Sequence, residues 1–243
     1  MTGAVVCCVS IPSRRRRDDL VTRHHRVALA RALVFEPTLV LLDEPLSALD
    51  KKLRGELQIE LKALHARMGM TFIFVTHDQE EAMAMSDRIV ILRDGEVVQA
   101  GSPVELYDRP INRFVADFLG RATFLEGTVE ACNGAAFTLK VNESRIVIAA
   151  SSISPRLGER ITLALRPERI GFVNGKNLNP EWNRIDGTVI SAAFNGRQHS
   201  YLIETPLGSL TVLIPSFGHG APQAVGSAVT AEWPPDAAIP VKE

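Results

Sequence analysis

The chain has 243 residues, of which 46% are apolar and 23% charged, so it is long enough for one or two globular domains with a buried core. A net charge of −1 argues against nucleic acid as a partner. No apolar run is long enough to cross a bilayer, no signal-peptide pattern opens the chain, and its three cysteines match neither a disulfide framework nor a zinc spacing, so we expect a cytoplasmic protein.

Residues 1–25 are predicted to be a divergent basic tail. Arg14-Arg15-Arg16-Arg17 is a run of like charge, and two aspartates follow it. Such runs are typically solvated and poorly ordered. The alternative is a basic patch for nucleic acid or anionic lipid, but no aromatic residue interleaves the arginines.

An apolar run that ends in two acids follows a short predicted helix. Residues 26–33 are rich in Ala, Leu and Arg, which favours a helix that ends before Pro37. Residues 38–42 are apolar on both faces, which predicts a strand buried in a parallel sheet. Asp43 and Glu44 come next, at the strand's carboxyl end, where such sheets bind ligands. One acid of such a pair can hold a magnesium ion while the other orients a water.

The next helix and strand are well marked. Asp50 is a plausible N-cap for a helix over residues 51–68, and Gly69 suits its C-terminal end. Residues 71–75 are β-branched and aromatic, which predicts a second buried strand. His77 follows this strand, so we expect it at the same sheet edge as Glu44.

Helices and strands continue to alternate up to about residue 120. Asp78 and Glu81 have the spacing of a capping box, which predicts a helix that continues to residue 85. A strand at 88–92, an Asp-Gly turn, a strand at 96–99 and two short helices, one opening at Ser102-Pro103 and one at 112–119, are expected after it. This alternation predicts an α/β domain with a mostly parallel sheet.

Beyond residue 123 the pattern changes to short β-like runs separated by Gly, Asn and Pro. Regular short strands with turn signals indicate a small barrel or sandwich. The predicted strands are 124–129, 136–141, 145–149, 160–164, 185–192, 200–204, 210–214 and 228–233.

Three blocks of this sequence resemble the ATPase subunit of ATP-binding-cassette (ABC) transporters. Arg26-Val27-Ala28-Leu29-Ala30-Arg31-Ala32-Leu33 resembles the helix after the family's signature, Leu39 to Asp50 its Walker B strand and D-loop, and Phe72 to Asp78 its switch-histidine strand. Arg166-Pro167-Glu168-Arg169-Ile170 and the last strand resemble the TOBE regulatory domain of polyamine- and ferric-iron-type importers. The resemblance implies part of a P-loop NTPase domain over residues 26–120, followed by an all-β OB-like small barrel over 121–243.

The same resemblance implies roles at the predicted sheet edge. Asp43 would associate with Mg²⁺ through water, and Glu44 would orient the water that attacks the γ-phosphate of ATP. His77 would contact that phosphate and link it to Glu44. Ser47 and Asp50 would belong to the D-loop, beside the nucleotide of a partner subunit. Without the resemblance, the acids and Ser47 would be interpreted as turn or helix-capping residues, and His77 as a structural histidine.

The sequence also departs from the family. It contains no G-x-x-x-x-G-K-[ST] phosphate-binding loop, and residues 20–25 read Leu-Val-Thr-Arg-His-His where the family carries Leu-Ser-Gly-Gly-Gln. We therefore expect an N-terminally truncated subunit that is inactive alone and whose binding of ATP and Mg²⁺ is in doubt. An apolar edge and face of its sheet would then be exposed.

The family's partners follow from the resemblance. It implies a homodimer or a pairing with a paralogous ATPase, beneath transmembrane permease subunits on the inner face of the cell membrane. A periplasmic or extracellular solute-binding protein would act indirectly, and a polyamine, iron or a similar small solute would be imported. One alternative is a non-catalytic regulatory or dimerisation module that acts through the C-terminal β-domain. Another is a chain that lends its Walker B face to an intact paralogue.

Overall fold

The computed structural model describes residues 31, 34–35, 37–47, 49–150, 154–173, 179–217 and 222–243, together with the backbone of residues 5–8. The chain divides into two compact units. The first comprises residues 1–110 and 118–120, and the second comprises 111–117 and 121–243. Among the described residues, no helix combines the length and apolarity that crossing a membrane requires.

The first unit contains a five-stranded sheet with the order β2-β3-β1-β4-β5. Strands β1 to β4 are mutually parallel where they pair, and β5 is antiparallel to β4. The strands are β1 Val5–Cys8, β2 Leu39–Asp43, β3 Thr71–Val75, β4 Arg88–Arg93 and β5 Glu96–Gly101. The described helices of this part of the chain are α1 Lys51–Met68, α2 Gln79–Met85, α3 Pro103–Asp108 and α4 Arg113–Phe118, of which α4 lies mostly in the second unit.

Helix α1 has the bounds that the sequence predicts, because both of its ends are set by local chemistry. The Asp50 carboxylate accepts hydrogen bonds from two backbone N–H groups of the first turn. Gly69 ends the helix in the left-handed conformation, with φ 63°, and its N–H donates to the carbonyl of His65. Leu57 and Leu61, four residues apart, are buried, so the face of the helix that carries them is directed into the protein.

Strand β2 differs from its prediction. The sequence predicts a strand buried on both faces, but Leu39 and Leu41 are 46% and 71% exposed, while Val40 on the other face is buried. The reason is its place in the sheet. Among the described strands, β2 pairs only with β3, so it is an edge strand that is covered on one face.

The predicted N-terminal tail is wrong for Val5–Cys8. These four residues form β1, which lies between β3 and β4 and pairs with both in parallel. Two valines and two cysteines suit a parallel strand, but a run of four residues is too short for its pattern alone to distinguish a strand from a tail. The rest of the predicted tail, including Arg14 to Arg17 and residues 20–25, lies outside the described residues, as does the predicted helix at 26–33 apart from Arg31.

Beyond residue 121 the second unit is rich in β-strands, as predicted, and these form two five-stranded sheets in place of the single OB-like barrel that the resemblance implies. The sheet orders are β15-β9-β6-β7-β8 and β10-β14-β11-β12-β13, with antiparallel pairing throughout. Side chains of both sheets share one core. The strands are β6 Thr123–Cys132, β7 Ala136–Val141, β8 Ser144–Ala149, β9 Arg160–Leu165, β10 Gly171–Phe172, β11 Asn183–Phe194, β12 Gln198–Thr205, β13 Gly208–Pro215, β14 Ala228–Trp233 and β15 Ala238–Val241.

The two sheets are built from an internal repeat. Glu126-Gly127-Thr128-Val129 in β6 matches Asp186-Gly187-Thr188-Val189 in β11, and both strands have a register shift directly after the valine. The last strand of each half crosses to the other sheet, since β10 pairs with β14 and β15 pairs with β9. Each sheet therefore needs both halves of the sequence.

Arg166, which opens the Arg-Pro-Glu stretch, has a structural place in the second unit. Its side chain is fully buried, and one guanidinium nitrogen donates to the carbonyls of Ala116 at 2.8 Å and Arg121 at 3.3 Å. It thereby fixes α4 and the start of the β-rich region to the turn after β9. Arg166, part of the motif on which the TOBE resemblance is based, therefore stabilises the backbone at Ala116 and Arg121.

Gly127 and Gly187 mark the points where the long strands pass closest to their neighbours. A Cβ at Gly187 would lie 2.7 Å from the carbonyl oxygen of Glu204, and one at Gly127 would meet the carbonyl oxygen of Lys140. We predict that Gly127→Ala and Gly187→Ala each lower the free energy of unfolding by about 1–3 kcal/mol, because the partner strand must shift. Gly171→Ala is the matched control, since its nearest atom would be at 3.9 Å.

Urea unfolding followed by tryptophan fluorescence measures this effect. Trp182 and Trp233 are the two tryptophans of the chain, both lie in the second unit, and Trp233 is fully buried. If the Gly127→Ala and Gly187→Ala proteins were as stable as the Gly171→Ala protein, this would contradict the close approach of the strands at Gly127 and Gly187.

Candidate functional site

The carboxyl ends of β2 and β3 lie level with each other. Asp43 and Val75 are opposite residues in the parallel ladder. The Glu44 N–H donates to the Val75 carbonyl at 2.8 Å, which extends the pairing one residue past β2. The side chains that follow the two strands are therefore brought to the same edge of the sheet.

Glu44 and His77 meet at this edge. The Oε1 of Glu44 and the Nδ1 of His77 are 2.9 Å apart, and the two side chains are 38% and 41% exposed. When Nδ1 carries a proton, it donates to the carboxylate and leaves Nε2 for another partner. When both ring nitrogens carry a proton, Nε2 can also donate to an anionic group while the Glu44 carboxylate accepts from a water.

Glu44 has a strained backbone. Its φ of 44° is in the left-handed region, which few non-glycine residues adopt. Two further hydrogen bonds hold the turn, since the hydroxyl and the N–H of Ser47 both donate to the Glu44 carbonyl, at 3.0 and 3.3 Å. Strain of this kind persists where surrounding contacts determine the conformation, and it is concentrated at functional sites.

The loop that follows is anchored by buried leucines. Leu46 and Leu49 are 2% and 5% exposed, and the Leu49 N–H donates to the Leu46 carbonyl. Ser47 is exposed, and Ala48 lies outside the described residues. Oδ1 of Asp50 accepts from the N–H groups of Lys52 and Leu53 at 2.9 and 3.0 Å, so this acid caps α1. A role for Ser47 and Asp50 beside a partner's nucleotide stays a prediction.

A buried network supports the segment around His77. The Thr76 hydroxyl donates to Oε2 of Glu81 at 2.6 Å and accepts from the Asp78 N–H at 3.0 Å. Oδ1 of Asp78 accepts from the Glu81 N–H at 3.1 Å, as the N-cap of α2. The predicted capping box is therefore modified, because the hydroxyl of Thr76 stands between Glu81 and the backbone N–H of Asp78.

Glu81 is an acid in a buried position. It is 3% exposed, and its second oxygen, Oε1, is buried without a hydrogen-bond partner. Burial raises the pKa of the Glu81 carboxyl, and nearby Asp78 raises it further. The Thr76 hydrogen bond and the positive charges of Arg54 and His77 act in the opposite direction, with smaller effects than burial.

Asp43 is exposed at the end of β2, and its carboxylate is a suitable oxygen ligand for Mg²⁺. In the part of the chain that the structure describes, no group of three or more His, Cys, Asp or Glu side chains could hold a metal.

The structure brings Glu44 and His77 into contact, with Asp43 at the end of β2 directly before Glu44. It places Ser47 and Asp50 in the loop after Glu44. Arg54 was not predicted to neighbour this site, and Glu81 was predicted only as a capping residue. The Thr76–Glu81 pair could have been anticipated from an acid in the first turn of the helix that follows β3. No local signal identifies Arg54, because its partners come from separate segments.

Similarity to known proteins covers most of the chain. Residues 163–240 match the TOBE domain family. The chain is 43% identical over 192 residues to the spermidine/putrescine import ATP-binding protein PotA of Rubrobacter xylanophilus, with 78% of this chain and 50% of that protein aligned. It is 42% identical over 218 residues to PotA 2 of Pseudomonas aeruginosa, with 88% and 60% aligned.

The chain thus spans about half the length of the curated relatives it matches. Among solved structures, the molybdate-binding protein ModG aligns over 96% of its own chain and 50% of this one, with a TM-score of 0.41 and 14% identity. A likeness at that level carries no argument about fold or ligand. Both relatives carry names of ATP-binding import proteins, and the TOBE match covers residues 163–240 of this chain.

The buried acid generates a pH prediction. Because the pKa of Glu81 is raised in the folded protein, the folded state keeps a proton at pH values above 4.5 where the unfolded chain has lost it. This group's contribution to stability is therefore complete below that value, and it falls as the pH rises towards the folded pKa. Glu81→Gln cannot ionise and can still accept from Thr76. We predict that the variant's free energy of unfolding, relative to the natural protein, increases as the pH rises.

Urea unfolding followed by circular dichroism at 222 nm, which reports on α1, measures this difference at acidic and at mildly alkaline pH. Glu80→Gln, at an exposed neighbouring position on α2, is the control and should show no such trend. A stability difference between Glu81→Gln and the natural protein that did not change with pH would contradict a raised pKa of Glu81 in the folded state.

Proposed function

We propose that this chain carries the hydrolytic part of the ATP-binding subunit of an ABC importer, together with its TOBE domain. The observation that carries this proposal is the contact between Glu44 and His77 at the carboxyl edge of parallel strands. The identity to two import ATP-binding proteins and the TOBE match support it.

Each side chain has a distinct part in the proposed reaction. Glu44 orients the attacking water and accepts its proton. With a proton on each ring nitrogen, His77 donates from Nδ1 to Glu44 and from Nε2 to the γ-phosphate, so the imidazolium holds the acid and the phosphate in one arrangement. Asp43 contributes an oxygen to magnesium coordination, and Mg²⁺ neutralises charge on the phosphates when bound.

The proposed site is one wall of a complete ATPase site. Phosphoryl transfer depends on positioning and on cations around the phosphates, and the 243 residues contain no G-x-x-x-x-G-K-[ST] loop to supply them. We therefore propose that this chain does not hydrolyse ATP alone. For hydrolysis, Glu44 and His77 would need a phosphate-binding loop from outside the 243 residues.

The proposal extends to partners and location. As the names of the relatives indicate, a polyamine such as spermidine or putrescine is the proposed solute, with ferric iron the other solute type that the sequence resemblance suggests. The subunit would act as a homodimer or with a paralogous ATPase, on the inner face of the membrane beneath permease subunits. Solute selectivity would then reside in the permease and in the solute-binding protein.

A chimera tests the hydrolytic role independently of the missing loop. The N-terminal part of the Pseudomonas aeruginosa relative, joined to residues 26–243 of this chain, should hydrolyse MgATP. Glu44→Gln should lower that rate about 100-fold or more, because it removes the general base. Glu56→Gln, at an exposed acid on α1, is the matched control.

Steady-state release of phosphate measures the ATPase rate of the chimera and of the natural chain. A chimera whose rate did not respond to Glu44→Gln would contradict the assignment of Glu44. Turnover by the 243-residue chain itself, abolished by Glu44→Gln, would contradict its proposed inactivity.

A second candidate function, a regulatory module, is favoured by how the second unit closes on itself. The Arg113 N–H donates to the Lys242 carbonyl at 2.8 Å, and the Lys242 N–H donates to the Ile111 carbonyl at 3.3 Å. Residues 111–117 therefore belong with the β-rich region, and a module beginning at residue 123 would lack them. The TOBE match lies within this unit.

We predict that a fragment of residues 111–243 folds alone and unfolds at a higher urea concentration than residues 123–243. The shorter fragment lacks the strand-end contacts of Lys242, and it leaves the buried Arg166 without the carbonyls of Ala116 and Arg121. Tryptophan fluorescence measures unfolding, and sedimentation measures association. A longer fragment that folded but was monomeric and bound neither small anions nor sugars would remove the support for a separate regulatory role.

A further inference from the structure

Arg54, in the first turn of α1, lies between the two segments that form the candidate site. Its guanidinium makes contacts in two directions. Nη1 forms an ion pair with Oδ2 of Asp78 at 2.7 Å, and Nη2 donates to the carbonyl of Leu49 at 3.1 Å. The side chains of Arg54 and Asp78 are 31% and 28% exposed, so the ion pair is largely shielded from solvent.

Both partners of Arg54 are fixed to site residues. Leu49 is buried in the loop that begins at Glu44, and the Arg54 N–H itself donates to the carbonyl of Asp50 in that loop. Asp78 follows His77 directly, and its N–H and Oδ1 are held by Thr76 and Glu81. One side chain therefore connects the segment that carries Glu44 to the segment that carries His77.

We propose that Arg54 is a positioning residue that couples the loop of residues 44–50 to His77 and so maintains the Glu44–His77 contact. This rests on the proposed function, in which that contact orients the attacking water. The planar guanidinium provides two N–H groups in a fixed fork, so a displacement of the loop is transmitted to Asp78. A lysine has the same charge but cannot hold both partners in this geometry.

Lysine at position 54 separates the two possible roles. If Arg54 only contributes a positive charge beside Asp78, Arg54→Lys keeps it. If Arg54 acts as a fork, Arg54→Lys loses one of the two contacts and loosens the Glu44–His77 pair. Asp78→Asn is an independent second variant, because its remaining oxygen can still cap α2 while the ion pair is lost.

Two measurements on the ¹⁵N-labelled natural chain report the outcome. The imidazole ¹⁵N shifts of His77, assigned with His77→Gln, give the population of the tautomer that carries its proton on Nδ1. Hydrogen exchange gives the protection of the Glu44 and Asp78 N–H groups. Arg67→Lys, the same change at an exposed position in the last turn of α1, is the matched control.

We expect Arg54→Lys and Asp78→Asn to reduce the Nδ1–H population of His77 towards that of Glu44→Ala, and to speed exchange of the two N–H groups about tenfold, as loss of a charged hydrogen bond implies. Arg67→Lys should change neither. Unchanged His77 shifts in both Arg54→Lys and Asp78→Asn would overturn the proposal, even if exchange became faster, because Arg54 would then only stabilise the fold.

Glu44→Ala, which removes the acceptor of the His77 hydrogen bond, separates this proposal from the proposed function. If Glu44→Ala alters the His77 shifts but Arg54→Lys and Asp78→Asn do not, the Glu44–His77 contact stands and the positioning role of Arg54 is wrong. If Glu44→Ala leaves His77 unchanged, the contact does not form in solution, and both proposals fail.

Discussion

The candidate site depends on the register between β2 and β3. Asp43 lies opposite Val75 in the ladder. Glu44, one residue after Asp43, and His77, two residues after Val75, therefore come within hydrogen-bond distance of each other. A slip of one residue would turn every side chain of β2 to the opposite face of the sheet. The buried side chains of Val40, Phe72 and Phe74 oppose such a slip, because they are apolar and 0–4% exposed. Burial of one face of the sheet therefore determines the geometry of the site at its edge.

Two features that lower the stability of the fold lie at or close to this edge of the sheet. Glu44 has a left-handed backbone conformation, and Glu81 is an acid whose burial raises its pKa. Each lowers stability, and each is held by specific hydrogen bonds: those of Ser47 at the strained turn, and that of Thr76 at the buried acid. Such features persist when the surrounding structure compensates for them. Here the compensation comes from the segments that Arg54 connects.

Features that depend on local chemistry could be predicted from the sequence. The bounds of α1 follow from Asp50 and Gly69, and the meeting of Glu44 and His77 follows from the rule that parallel strands end at one edge. Long-range pairing could not be predicted, because nothing in Val5–Cys8 identifies its neighbours and nothing in a short strand shows that it crosses to another sheet. The repeat that includes Gly127 and Gly187 can be seen in the sequence, but only the strand pairing shows that its two copies occupy equivalent positions in the two sheets.

The exposure of β2 and the exposure of the two site residues have a common consequence. Leu39 and Leu41 have the composition of a buried strand but are 46% and 71% exposed, and burying one leucine completely is worth about 1.5–3 kcal/mol. Glu44 and His77 are also more than a third exposed. Electrostatic interactions that stabilise a transition state are strong in a dry site and weak in water. The sequence of β2 therefore suits a covered sheet, and the acid and imidazole at its end would act most strongly under the same cover.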